Sequence, residues 1–129
     1  MKKWTNESNK KLWKICLPII ILSIVVGIAA RSVGEIEADG DFTIAVNQDL
    51  KIYGNEITDI YVDKGYVGVY LDAKRWYAAS EESQKQFMEE VYVIVRMDAI
   101  TSKVTKYHSC RLAFYDSNYN KIASYGVKE

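Results

Sequence analysis

Hydrophobic positions fall into three kinds of pattern along this chain. The first is an unbroken apolar run. Residues 15–30 read ICLPIIILSIVVGIAA, without a charge and without a polar face. As a helix rising about 1.5 Å per residue, the run spans about 24 Å, a little less than a hydrocarbon core of about 30 Å. Trp13 suits the interface, Lys14 and Arg31 can snorkel, and Pro18 falls in the first turn, where its missing N–H costs little. A transmembrane helix is expected. The competing reading is a cleaved signal peptide, with small residues at Gly27, Ala29 and Ala30 framing the cut.

The second pattern is helical periodicity. Phe42, Ala45, Val46, Leu50 and Tyr53 recur at helical spacing, with Asp41 as N-cap and Gly54 just past the end. Phe42–Val46 could instead be a strand; a helix is the favoured reading. Asp72 caps a short helix, Asp72–Ala79. Ser80, followed by Glu81 and Glu82, caps a longer one reaching about Ile100, with Phe87, Met88, Val91, Ile94 and Val95 as its apolar stripe. The β-branched run at Val91–Val95 is compatible with a strand, but the capped start favours the helix.

The third pattern is alternation. Ile57–Val62, a turn at Asp63-Lys64-Gly65, and Tyr66–Leu71 form a hairpin. Val67, Val69 and Leu71 point one way, and Tyr66, Gly68 and Tyr70 the other. His108, Cys110, Leu112 and Phe114 alternate with Tyr107, Arg111 and Tyr115, and a turn at 116–120 leads to Lys121–Val127. The order α-β-β-α-β-β predicts an α+β fold. An N-terminal transmembrane helix precedes a small two-layer domain, an antiparallel four-stranded sheet with helices on one face. The domain plan is a basic cytoplasmic tail at 1–14, the membrane helix at 15–30, a small acidic linker at 31–41 and an extracytoplasmic domain at 42–129. Asp39-Gly40-Asp41 reads as a turn leading into the helix; it lacks the ligand spacing of a calcium loop.

Charge orients this plan. The chain is formally neutral, yet five lysines stand against one glutamate before residue 31. Beyond it, twelve basic residues meet sixteen acidic ones. The positive-inside bias places the tail in the cytoplasm and the C-terminal domain outside the cell membrane. An acidic outer domain gives no footprint for nucleic acid.

Chemical motifs are sparse, and neither cofactor nor metal is expected. His108 is the single histidine, so no His–His metal pair exists. Its position two before Cys110 allows one nucleophile pair to be drawn, on a face that also carries Leu112 and Phe114 and so reads as core. Glu81/Glu82 and Glu89/Glu90 diverge as neighbours on a helix and read as solvated surface. Tyrosine is the compositional excess: ten residues, all beyond the apolar run. Tyr66, Tyr70, Tyr107, Arg111 and Tyr115 form the candidate interface, because tyrosine and arginine anchor protein contacts. The expected function is therefore a single-pass, membrane-anchored binding or accessory module. Its partners are membrane lipid through 15–30 and an envelope protein or a second copy of itself. A secreted domain after signal cleavage, a cysteine-dependent enzyme, and an anchor acting through contacts of its membrane helix are the alternatives.

Overall fold

The structure, a computed structural model, describes the backbone of residues 16–129 and side chains from residue 33 onward. The expected tail at 1–14 and the membrane-crossing role of 15–30 lie outside the described side chains. Among the described residues, no helix is long and apolar enough to cross a membrane. The chain divides into two units, Met1–Gly34 and Glu35–Glu129, and the second carries the sheet and the sites below.

Helix α1 (Cys16–Asp49) leads through a 3-10 segment (Leu50–Glu56) into strands β1 (Ile57–Asp63) and β2 (Tyr66–Leu71). Helices α2 (Ala73–Ala78) and α3 (Glu81–Ser102) follow, then a 3-10 turn (Val104–Lys106), β3 (Cys110–Asp116) and β4 (Lys121–Val127). The helix expected from Phe42 is present, but it begins far earlier. Asp41 is no N-cap, and the turn expected at Asp39–Asp41 is continuous helix. Ala38, Phe42, Val46 and Leu50, each four apart, are all buried. Burying Phe42 alone is worth about 1.5–3 kcal/mol, more than the ~1 kcal/mol that Gly40 costs inside a helix.

The two later N-caps fall where the sequence places them. Asp72 accepts from Arg75 N and Ser80 from Ser83 N. Lys103, in the left-handed region at φ 70°, ends α3. Along α3, Val91, Val95 and Ala99 are buried. They join Phe42 and Val46 of α1, Leu50 of the 3-10 segment, Trp76 of α2, and Val67, Val69, Leu71, Leu112 and Phe114 of the sheet in one core.

The sheet is mixed, in the order β1-β2-β3-β4, and this corrects the antiparallel expectation. Both hairpins are antiparallel, but β2 and β3 run parallel, pairing Tyr66 with Arg111 and Tyr70 with Tyr115. The reason is α3. Its 22 residues, about 33 Å of helix, carry the chain back along the sheet, so β3 starts from the same end as β2. Each alternation pattern survives this change, because parallel pairing leaves the choice of face untouched.

Two close approaches hold the parallel seam. Gly65 O accepts from Arg111 N at 3.0 Å. A Cβ at Gly65 would lie 2.8 Å from Ser109 O and 3.1 Å from His108 Cβ. In the turn itself Lys64, not the glycine, takes the left-handed conformation, at φ 57°. Gly65 therefore provides space where β2 meets β3. Gly68, in mid-strand, has its nearest neighbour to such a Cβ at 3.4 Å, an ordinary contact.

A second seam joins α1 to α3. Asp98 Oδ2 is buried and meets no donor. Asp49, the last residue of α1, stands beside it. Burial first, then the hydrogen bond and charge of Asp49, push the Asp98 carboxyl up to about 7. Two neighbouring carboxyls that share one proton supply the missing donor.

Two outcomes are expected. In denaturant titrations of the full-length chain in mild detergent, Gly65→Ala costs about 1–3 kcal/mol, because backbone must give way. Gly68→Ala stays within about 0.5 kcal/mol of the parent, the ordinary range for a substitution that meets no clash. The second concerns pH. The folded Asp98 holds its proton to about 7, whereas the unfolded carboxyl ionises near ~3.9. The contribution of Asp98 is therefore complete below the unfolded value and lost as pH rises through 7. Asp98→Asn keeps a donor for Asp49, so thermal melts should show its Tm gaining on the parent's between pH 5 and pH 8.

Candidate tyrosine interface

Alternation sends Tyr61 from β1, Tyr66, Gly68 and Tyr70 from β2, and Arg111, Ala113 and Tyr115 from β3 to the sheet face opposite the core. Small residues make its floor. Gly68 pairs with both Tyr61 and Ala113, and Gly68 and Ala113 are buried. A Cβ on Gly68 would meet the rings of Tyr66, Tyr115 and Tyr70 at 3.4, 3.6 and 3.6 Å. The rings thus fold inward over the strand instead of standing apart.

They also bind one another. The Tyr66 and Tyr115 hydroxyls lie 2.5 Å apart. Tyr70 stacks on Tyr115, with centroids 5.0 Å apart and planes inclined by 16°. Tyr119 meets Tyr70 edge-on at 5.6 Å, and Tyr61 meets Tyr66 at 6.1 Å. Such pairs add about 0.5–1.5 kcal/mol each beyond their buried area. The cluster is therefore a single plate of five rings. Its middle is half-buried, while Tyr61 and Tyr119 are 51 % and 77 % exposed.

Of the five residues expected at this surface, Tyr66, Tyr70 and Tyr115 are brought together, and Arg111 pairs in register with Tyr66. Arg111 is exposed, and its guanidinium lies 3.8 Å from where a Cβ of Gly126 would stand. Tyr107 does not join them. Strand β3 begins only at Cys110, so Tyr107 closes the preceding 3-10 turn and packs against the core. Tyr61 and Tyr119 were missed. Tyr61 was readable from its period-two position between Asp59 and Asp63. Tyr119 was not, since its place depends on a turn in which it adopts φ 69°.

That turn is built by Asp116. The buried carboxylate accepts from Asn118 N, Asn120 N, Asn120 Nδ2 and the Tyr77 hydroxyl. The Asn120 backbone N–H first, then the other donors, hold its carboxyl below the usual range. Ser117 Oγ accepts from Ala73 N, so α2 is tied to the same turn. Tyr119 is thereby set against Tyr70 by a fixed scaffold.

Two phenols of the plate, Tyr66 and Tyr70, are poor acids. Burial chiefly, then the Tyr115 hydroxyl, raise Tyr66 well above ten, and burial also raises Tyr70. Both stay neutral, as donors, through any physiological pH.

The Cys110–His108 pair drawn from the sequence has a different geometry. His108 lies before β3, not on it. The Cys110 thiol, 8 % exposed, donates to the His108 carbonyl oxygen at 3.7 Å, and burial raises its pKa. The imidazole turns instead to α1, where Nε2 meets Asp39 Oδ1 at 2.9 Å and Glu35 Oε2 at 3.4 Å. That junction was invisible in the sequence, since its members stand about seventy residues apart.

The geometry defines a class: a small α+β unit with a four-stranded mixed sheet that carries an aromatic plate on one face. No family model matches the chain, and no curated protein or solved structure matches it either.

In an alkaline absorbance titration, Tyr66→Phe is expected to remove a phenol that ionises late. The transition near pH ~10, from exposed tyrosines, should keep its amplitude. A loss confined to that early transition would place Tyr66 in open solvent.

Proposed function

We propose that this chain is a membrane-anchored binding module, and that its sheet face docks a protein outside the cytoplasm. The anchor rests on the sixteen uncharged residues 15–30 and the lysines before them. The single observation that carries the docking reading is the mutual fixation of the five rings. Tyr66, Tyr70 and Tyr115 are locked by a hydroxyl–hydroxyl contact and a stack before any partner arrives. Ordering side chains at an interface costs about 0.5–1.5 kcal/mol each, and here that cost falls on folding. Exposed Tyr61, Tyr119 and Arg111 at its border give the partner aromatic and cationic contacts. Asp59 and Asp63 pair with Tyr70 and Tyr66 on the β1 side, and Lys121 pairs with Tyr115 on the β4 side. Negative and positive charge thus flank the rings on opposite edges, which favours a partner of matching polarity.

The reading separates structural from docking tyrosines, and so does its test. Tyr119→Ala with Arg111→Ala should weaken crosslinked recovery of a partner from intact membranes at least ~10-fold, the scale of one hot-spot residue, with Tm nearly unchanged. Recovery of a second copy of the chain would identify self-association. Undiminished recovery of the same partner by the double variant would remove the plate from the interface.

A further inference from the structure

Glu35 and Asp39 stand one turn apart on α1, so their carboxylates share a helix face. His108 approaches that face from the segment joining the 3-10 turn to β3. One carboxylate oxygen from each acid and one imidazole nitrogen lie within 4.8 Å of one another. We propose that Glu35, Asp39 and His108 form a three-ligand site for a divalent transition-metal ion, with zinc as the best fit.

The spacing carries the assignment. Metal–nitrogen and metal–oxygen bonds of about 2.0–2.1 Å set neighbouring donors about 3.0 Å apart in an octahedron and about 3.4 Å apart in a tetrahedron. His108 Nε2 is 2.9 Å from Asp39 Oδ1 and 3.4 Å from Glu35 Oε2. Glu35 is the most exposed of the three, and rotation of its longer side chain closes the remaining carboxylate–carboxylate gap. The imidazole sets the site apart from an acidic surface patch: nitrogen favours zinc and its neighbours over calcium or magnesium. Three protein donors leave room for water, as in open zinc sites.

The frame is held in advance. Helix α1 fixes the two acids, and His108 N donates to Val104 O at 3.0 Å. Gly65 lets the start of β2 pack close beside His108 Cβ. When no metal is bound, the imidazole and Asp39 keep the same geometry through a hydrogen bond. Ion uptake then competes with protons and strengthens as pH rises.

The test is calorimetric titration of zinc, and visible absorption with cobalt, on the tag-free full-length chain in mild detergent. A Cys16→Ser background removes the one thiol outside the described side chains. The expected result is uptake of one equivalent, weakened at least ~10-fold by His108→Gln and by Asp39→Asn, with far-UV circular dichroism unchanged. Glu35→Gln, at the most exposed of the three positions, provides a third variant should either of the others unfold. Absence of stoichiometric uptake, or uptake equal in parent and folded variants, overturns the site.

Discussion

The parallel pairing of β2 with β3 is the constraint on which the rest of this unit depends. It places Tyr66 beside Arg111 and Tyr70 beside Tyr115, and so creates the stack at the centre of the tyrosine plate. The same pairing sets Val67 and Val69 beside Leu112 and Phe114 on the core side. An antiparallel β3 would have presented the same residue types in reversed order, with Tyr115 no longer opposite Tyr70. The pairing in turn rests on a glycine. Any side chain at Gly65 would press on the backbone of Ser109, at the point where the two strands begin to pair.

Local signals were readable because local physics decides them. The Asp72 and Ser80 caps, the hairpin at Asp63–Gly65 and the stripe of α3 depend on residues within a few positions of one another. Three features escaped because they depend on distant partners. Strand direction was set by the length of α3, not by any strand. Helix α1 runs through Asp39-Gly40-Asp41 because Ala38 and Phe42 find a core on the folded side, which offsets a weak local preference. Tyr107 alternates correctly with Ser109 and Arg111, yet stands outside the strand, since period two alone does not mark where a strand begins.

The candidate interface was legible to a similar depth. Alternation gave the face and three of its tyrosines. It did not give the inward collapse of the rings, which depends on the Gly68–Ala113 floor lying directly beneath them. Side chains extending beyond a Cβ there would lift the rings apart. The excess of tyrosine thus has two physical meanings at once. Tyr66 and Tyr115 behave as a second, polar core, while Tyr61 and Tyr119 remain surface.

Buried and half-buried polar groups of this unit stand at seams between elements. Asp116 joins β3, the β3–β4 turn and α2; Asp98 meets Asp49 between α3 and α1; His108 meets Asp39 between the β3 approach and α1. The first seam is saturated with donors and is insensitive near neutral pH. At the second, burial and the neighbouring Asp49 hold a proton on Asp98 up to about 7, and the third is where the proposed metal site lies. Both of these seams lie on α1, at its Glu35–Asp39 turn and at its Asp49 end. Neither includes a residue of the tyrosine plate, where burial holds the Tyr66 and Tyr70 phenols above their ordinary range. Proton sensitivity near neutral pH is therefore carried by the Asp98–Asp49 seam of α3 and α1, which is built from residues other than those of the sheet's aromatic face.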